Sequence, residues 1–174
     1  PISINGTKNS PVLINSSDQS GEGLTVIQAN GISRISNLIF DNQRSLVSSN
    51  LNLTGAMTFY ESDVEVNNVS FSNNKSEDSL NIIRSKFKIQ NSKFLNTFSD
   101  AVDVDFGNGI ISNTSFTKIG NDGIDVSGSK VDIDSVDMIY LGDKGISGGE
   151  GSKVNLKNIN IKSALFGIAS KDGL

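Results

Sequence analysis

The chain has 174 residues, 15 Lys and Arg against 19 Asp and Glu for a net charge of -4, and no His, Cys or Trp. That length suits one domain with a core of its own. The missing residue types exclude disulfides, thiol nucleophiles, cysteine zinc sites, imidazole ligands and a Ser-His-Asp triad, while the acid excess argues against nucleic acid as a partner.

No 20-residue apolar span is present, so no membrane crossing is expected. Ile2-Ser3-Ile4 and Pro11-Val12-Leu13-Ile14 read as a loosely spaced opening rung of a repeat. Two columns then recur: Ile35 is followed by Val66, Ile89, Ile111, Ile133 and Leu156, and Phe40 by Phe71, Phe94, Phe116, Met138 and Ile161. The first step in each is 31 residues and the later ones are 22 or 23, which places an insertion at 41–55. Its Leu46-Val47 and Leu51-Asn52-Leu53 are expected either to fold over the side of the repeat stack or to touch a partner.

A third column, Leu80, Val102, Ile124, Ile146 and Ile168, advances by 22 residues at each step, preceded by Asp78, Asp100, Asp122, Lys144 and Phe166. Apolar residues alternate at period 2, as in Gly123-Ile124-Asp125-Val126 and Val131-Asp132-Ile133, the pattern of short strands with one buried face. Asn37, Asn68, Asn91, Asn113 and Asn158, with Ser135 as the one replacement, follow the central aliphatics. Asn tolerates the left-handed backbone, so this column predicts a tight corner whose side chains can bond along the stack. A unit this small cannot bury its apolar face alone and must stack on its neighbours.

The motif Gly-Ile-x-Val-x-Gly-Ser, complete at 123–129, and aliphatic-x-Asn-x-x-Phe, complete at 111–116, resemble the right-handed parallel β-helix repeat of the pectate lyase-like superfamily. Pectate lyases, polygalacturonases, pectin esterases and many secreted surface proteins carry it. The resemblance covers nearly the whole chain. It implies an all-β fold, a right-handed single-stranded parallel β-helix (solenoid) forming one domain over 1–174, with about seven rungs of roughly 22 residues. At about 4.8 Å per rung the rod would be about 30 Å long.

In that family the outer face of the Gly-Ile-x-Val strand and its preceding loop form a sugar-binding groove, where acidic residues hold calcium or act as acid and base. The matching positions are Asp100, Asp103, Asp105, Asp122 and Asp125. Val102 and Val104 point inward, so Asp103 and Asp105 point out, and Asp125 lies beside Asp103 one rung on. Residues 100–143 hold nine Asp against two Lys. Carboxylates one rung apart repel, so a bound cation, raised pKa values or splayed, solvated side chains are expected. An oxygen-only cluster suits Ca²⁺.

Asp103 and Asp125 are thus the candidate catalytic and calcium pair. Asp100, Asp105, Asp122, Lys144 and Arg84 are the candidate substrate contacts: Arg84 follows the equivalent strand one rung earlier, and Lys144 takes the place of Asp122 one rung later. The basic residue of a lyase motif is missing, as are the Asn-Thr-Asp, Gly-His-Gly and Arg-Ile-Lys motifs of the hydrolases.

The resulting expectation is a non-catalytic extracellular or cell-surface module, acting as a structural spacer or binding a polysaccharide or surface glycan, within a larger chain or assembly. One alternative is a polysaccharide lyase or glycoside hydrolase using the Asp cluster with calcium. Another is a self-stacking fibre subunit, because the last rung, 167–174, carries no cap and leaves a sheet edge for stacking.

Overall fold

The computed structural model describes residues 1–47 and 52–171; Leu51 of the expected insertion and the last residues of the expected open end, Asp172 to Leu174, lie outside the described residues. The strands are β1 (Ser3–Asn5), β2 (Val12–Asn15), β3 (Leu24–Ile27), β4 (Ser33–Asp41), β5 (Gly55–Tyr60), β6 (Val64–Ser72), β7 (Asp78–Ile83) and β8 (Lys86–Gln90). They continue as β9 (Lys93–Thr97), β10 (Asp100–Asp105), β11 (Asn108–Ile119), β12 (Ile124–Ser127), β13 (Lys130–Leu141), β14 (Lys144–Gly149), β15 (Lys153–Lys162) and β16 (Phe166–Lys171). No helix long and apolar enough to cross a membrane occurs among them.

Two parallel sheets wind through seven turns. One runs β3-β5-β7-β10-β12-β14-β16; the other runs β1-β4-β6-β8-β11-β13-β15, with β2 beside β4 and β9 between β6 and β11. The chain is the all-β parallel β-helix expected from its repeats. The sequence columns are register columns: Leu24, Met57, Leu80, Val102, Ile124, Ile146 and Ile168 align rung on rung. Ile4 aligns with Ile35 and Ile14 with Phe40, so the opening stretch is indeed a rung.

The inward columns make one continuous apolar core. Within it Phe71, Phe94 and Phe116 stack face to face, at centroid separations of 4.6 Å and 5.0 Å, and Phe40 meets Phe71 edge-on at 5.9 Å.

Three corners turn the chain, and each is a column of left-handed residues. The expected column is present as Asn37, Asn68, Asn91, Asn113, Ser135 and Asn158, with φ between 48° and 57°. A second holds Gln28, Glu61, Arg84, Phe106, Gly128 and Glu150; a third holds Asn42, Asn73, Asn96, Lys118, Tyr140 and Ser163. The expected amide ladder is interrupted at the first corner. Asn68 donates to Asn37 Oδ1 (2.6 Å), but Asn91 donates to Asn67 and Asn158 to Asp134. A longer run of side-chain bonds lies at the third corner, from Asn96 to Asn73 and from Asn73 to Asp41. Beside the second corner, serine hydroxyls tie the rungs: Ser62 takes the Ala29 N–H, Ser85 that of Ser62, Ser129 that of Gly107 and Ser152 that of Ser129.

Close backbone approach fixes one pair of glycines. A Cβ on Gly120 would lie 2.0 Å from the Phe98 carbonyl oxygen, and one on Gly142 the same distance from the Gly120 oxygen. Because backbone and not a flexible side chain stands in the way, Gly120→Ala is expected to lower unfolding free energy by about 1–3 kcal/mol in denaturant titrations. Gly151→Ala has open space around its Cβ and tests only the φ of 71° at that site.

Candidate functional site

On the outer face of the β3-to-β16 sheet, Asp103 lies between Asn81 and Asp125, with Ser147 the next rung beyond. Strand alternation predicts that such positions face solvent. Instead Thr58, Asn81 and Ser147 are fully buried and Asp103, Asp105 and Asp125 are half-buried; Asp78, two residues before the inward Leu80, is buried as well. Part of the cover is the insertion: Leu53 is 3% exposed, and Thr54 presents its hydroxyl to Asp78. Leu53 and Thr54 therefore lie over the side of the rod at this point, while Val47, paired with Asn52 in an antiparallel bridge, is exposed.

Burial sets the electrostatics. Loss of hydration pushes Asp103 up to about 9, with Asp78, Asp105, Asp125 and Asp100 adding like-charge repulsion. The same loss raises Asp78 to about 7, despite the Thr54 hydroxyl. Asp105 and Asp100 are also raised, again chiefly by burial. Of the three outcomes expected for crowded carboxylates, the raised pKa is the one that the geometry favours. Asp103 and Asp105, two apart on one face, repel each other as carboxylates, which favours a proton on one of them. Asn81 donates its amide to Asp103 Oδ2 at 2.8 Å, leaving Asn81 Oδ1 and Asp78 Oδ2 buried without partners.

The preceding column works as a backbone cap. Asp100 accepts the Asp122 N–H (2.9 Å) and the Asn121 amide (2.7 Å). Asp122 in turn accepts the Lys144 N–H (2.9 Å). Lys144 Nζ lies 3.3 Å from Asp122 and also pairs with Asp143, and its proton is held more tightly as a result, Asp143 contributing most. Sequence reasoning assigned Asp100, Asp122 and Lys144 to substrate; the structure joins them to one another across the rungs.

Arg84 is not with them. It sits at the second corner, donating to the Tyr60 hydroxyl at 2.9 Å and lying 3.8 Å from Glu61 and 5.8 Å from the centroids of the Tyr60 and Phe106 rings. Phe106 is 56% exposed in a left-handed conformation, and a Cβ on Gly128 would collide with its ring at 2.5 Å.

The cation nearest Asp125 is Lys171, at 3.8 Å, a residue the sequence reading missed. Asn81 was missed too, although the 22-residue step from Asp103 points back to it. Among the described residues no group of three or more acidic side chains is arranged to hold a metal ion.

No family model matches this chain. No curated protein matches it either. Among solved structures it is similar to Pantoea stewartii WceF, described as a glycan biofilm modifying enzyme with a bacteriophage tailspike-like parallel β-helix fold. The two are 11% identical, with a TM-score of 0.41 over 94% of this chain and 32% of that one, so this chain spans about a third of the length of WceF.

Proposed function

We propose that the chain is a non-catalytic β-helix module of an extracellular or cell-surface protein, related to the pectate lyase-like superfamily, that offers a long face to a carbohydrate partner. The observation that carries this reading is how the acidic column is used: Asp100 and Asp122 cap the next rung's backbone, and Lys144 closes the column. Asp100 and Asp122, committed to the backbone in this way, serve the fold and are not free to contact a substrate.

A second reading, a polysaccharide lyase or hydrolase, is favoured by one arrangement. Asp103, neutral at neutral pH, lies beside Asp125, which has Lys171 within 3.8 Å. Calcium on Asp103 and Asp125 belongs to this reading.

The experiment is an assay for new reducing ends and unsaturated products on a panel of acidic and neutral polysaccharides, with calcium or EDTA, for wild type, Asp103→Asn and Asp125→Asn. The expected result is no cleavage, and melting temperatures that calcium leaves unchanged. Cleavage lost in Asp103→Asn at an unchanged melting temperature would establish the enzyme instead. In the same series Asp122→Ala is expected to destabilise by about 1–3 kcal/mol, since it removes a buried carboxylate and leaves the part-buried Lys144 N–H without its acceptor, as read by urea titration.

A further inference from the structure

The first corner carries polar groups that its role as a bend leaves unused. Asn68 Oδ1 and Asn91 Oδ1 accept from no described residue, and the Asn113 amide has no partner among them. Each unpaired amide keeps donor or acceptor capacity that water or a ligand must meet. They rise one rung at a time, about 4.8 Å apart, on a rigid strand backbone. Two residues further along the strands runs a parallel row, Ser70, Lys93 and Ser115, in register with one another.

Between and around these rows the surface is hollowed. A depression of about 650 Å³ spans Gly6, Lys8, Asn37, Asn67, Asn68 and Asn91. An adjoining one of about 480 Å³ continues to Lys93, Asn113 and Ser115. A third, of about 450 Å³, carries the trough on past Ser135 to Asp137 and Asn158. Lys8 and Lys93 are the charged residues lining the first two, and neither makes an ion pair with a described residue. Asp137 marks the acidic end of the third.

We propose that this trough is a binding site for a polysaccharide bearing carboxylates, laid along the rod from Lys8 to Ser115. It rests on the glycan-contact reading above and names the surface and the ligand class. The amides of Asn68, Asn91 and Asn113 bond sugar hydroxyls, which both donate and accept, as an amide does. Ser70 and Ser115 bond the opposite edge of the chain, and Lys8 and Lys93 pair with carboxylates about three rungs apart. No aromatic ring lines the trough to stack a base, and its two lysines are few for a phosphate backbone, so the features favour an acidic glycan over a nucleic acid. The site lies at a different corner from the Asp face.

The test titrates ¹⁵N-labelled protein with an alginate oligosaccharide, a dextran of matched length and oligo-dT. Alginate is expected to shift the side-chain amide signals of Asn68, Asn91 and Asn113, and dextran to bind about tenfold more weakly. Lys93→Gln, which removes only the charge, and Asn113→Asp, which keeps a residue suited to the left-handed corner but repels carboxylates, should each weaken alginate binding by about tenfold at an unchanged melting temperature. Asp125→Asn should leave it unchanged. Alginate binding that ignores both trough variants and shifts Asp-face signals would overturn the trough while leaving the glycan-contact reading intact. Binding of none of the glycans would overturn both, and oligo-dT binding as tight as alginate would overturn the ligand class.

Discussion

Raising the pH from 5 to 9 is expected to destabilise the protein, and Asp103→Asn to remove much of that loss. In the unfolded chain both Asp103 and Asp78 ionise near the ordinary value of 3.8; in the folded chain Asp78 holds its proton to about 7 and Asp103 to about 9. Between the unfolded and folded values the native state binds more protons, so unfolding free energy falls as pH rises through that window, by about 1.4 kcal/mol per pH unit for each extra proton. The stabilisation is complete below the unfolded value and gone above the folded ones.

Asp18 and Asp134 act in the opposite sense, held low chiefly by the Ser20 hydroxyl and the Asn158 amide, but both are exposed at the surface and their contribution is confined to acid pH. Asn is close in shape to a protonated Asp. Asp103→Asn should therefore match wild type only below about pH 4 and exceed it by a margin that widens from pH 5 to 9, in melts followed by circular dichroism. The surrounding groups that set this response are Asp78, Asp100, Asp105 and Asp125, with Asn81 donating and Lys171 reaching Asp125. A wild-type profile that is flat or rises from pH 5 to 9 would show that the carboxyls are ionised and solvated.

Phe94→Ala should cost about 3–5 kcal/mol, against a total stability of about 5–15 kcal/mol for a domain. The ring is fully buried midway between Phe71 and Phe116, with interplanar angles of 2° and 4°, so its loss removes both stacking contacts and leaves a cavity in the middle of the rod. Each repeat contacts only its neighbours, so no other part of the chain can fill that gap. The melting temperature should fall by about 10 °C. Phe98, 66% exposed, provides the control: Phe98→Ala should leave the melt nearly unchanged. Equal effects from the two would mean that the stack is not the centre of the core.

The fold was legible because its inward columns are chemically uniform. Leu80, Val102, Ile124 and Ile146 can hardly be anything but one buried stripe, and Phe71, Phe94 and Phe116 announce a stack. The first corner was legible for the same reason, since Asn recurs there. The second corner was hidden: Glu61, Arg84 and Phe106 share a left-handed backbone and no side-chain type, so only the stacking of rungs reveals them as a column, and the third was half hidden, its Asn42, Asn73 and Asn96 giving way to Lys118, Tyr140 and Ser163.

The acidic face was half legible. Register predicted that Asp103 and Asp125 would be adjacent and that their charges would conflict, which is how they lie. Alternation could not foretell that residues on the outer side of β5 and β7 are buried, because part of the cover, Leu53 and Thr54, comes from an insertion outside the repeat. Nor could it show that Asp100 and Asp122 cap backbone N–H groups one rung away, a bond between residues about 22 positions apart that depends on side-chain direction.

The most direct test of the account is a ¹³C NMR titration of the aspartate side-chain carboxyls from pH 4 to 10. A face held together by protons and committed to the fold predicts that Asp103 titrates near 9 and Asp78 near 7, with Asp105 and Asp100 above the ordinary range. If all of these carboxyls titrate near 4, the face is an open, ionised surface, and the acidic cluster again becomes the leading candidate for cation binding or catalysis.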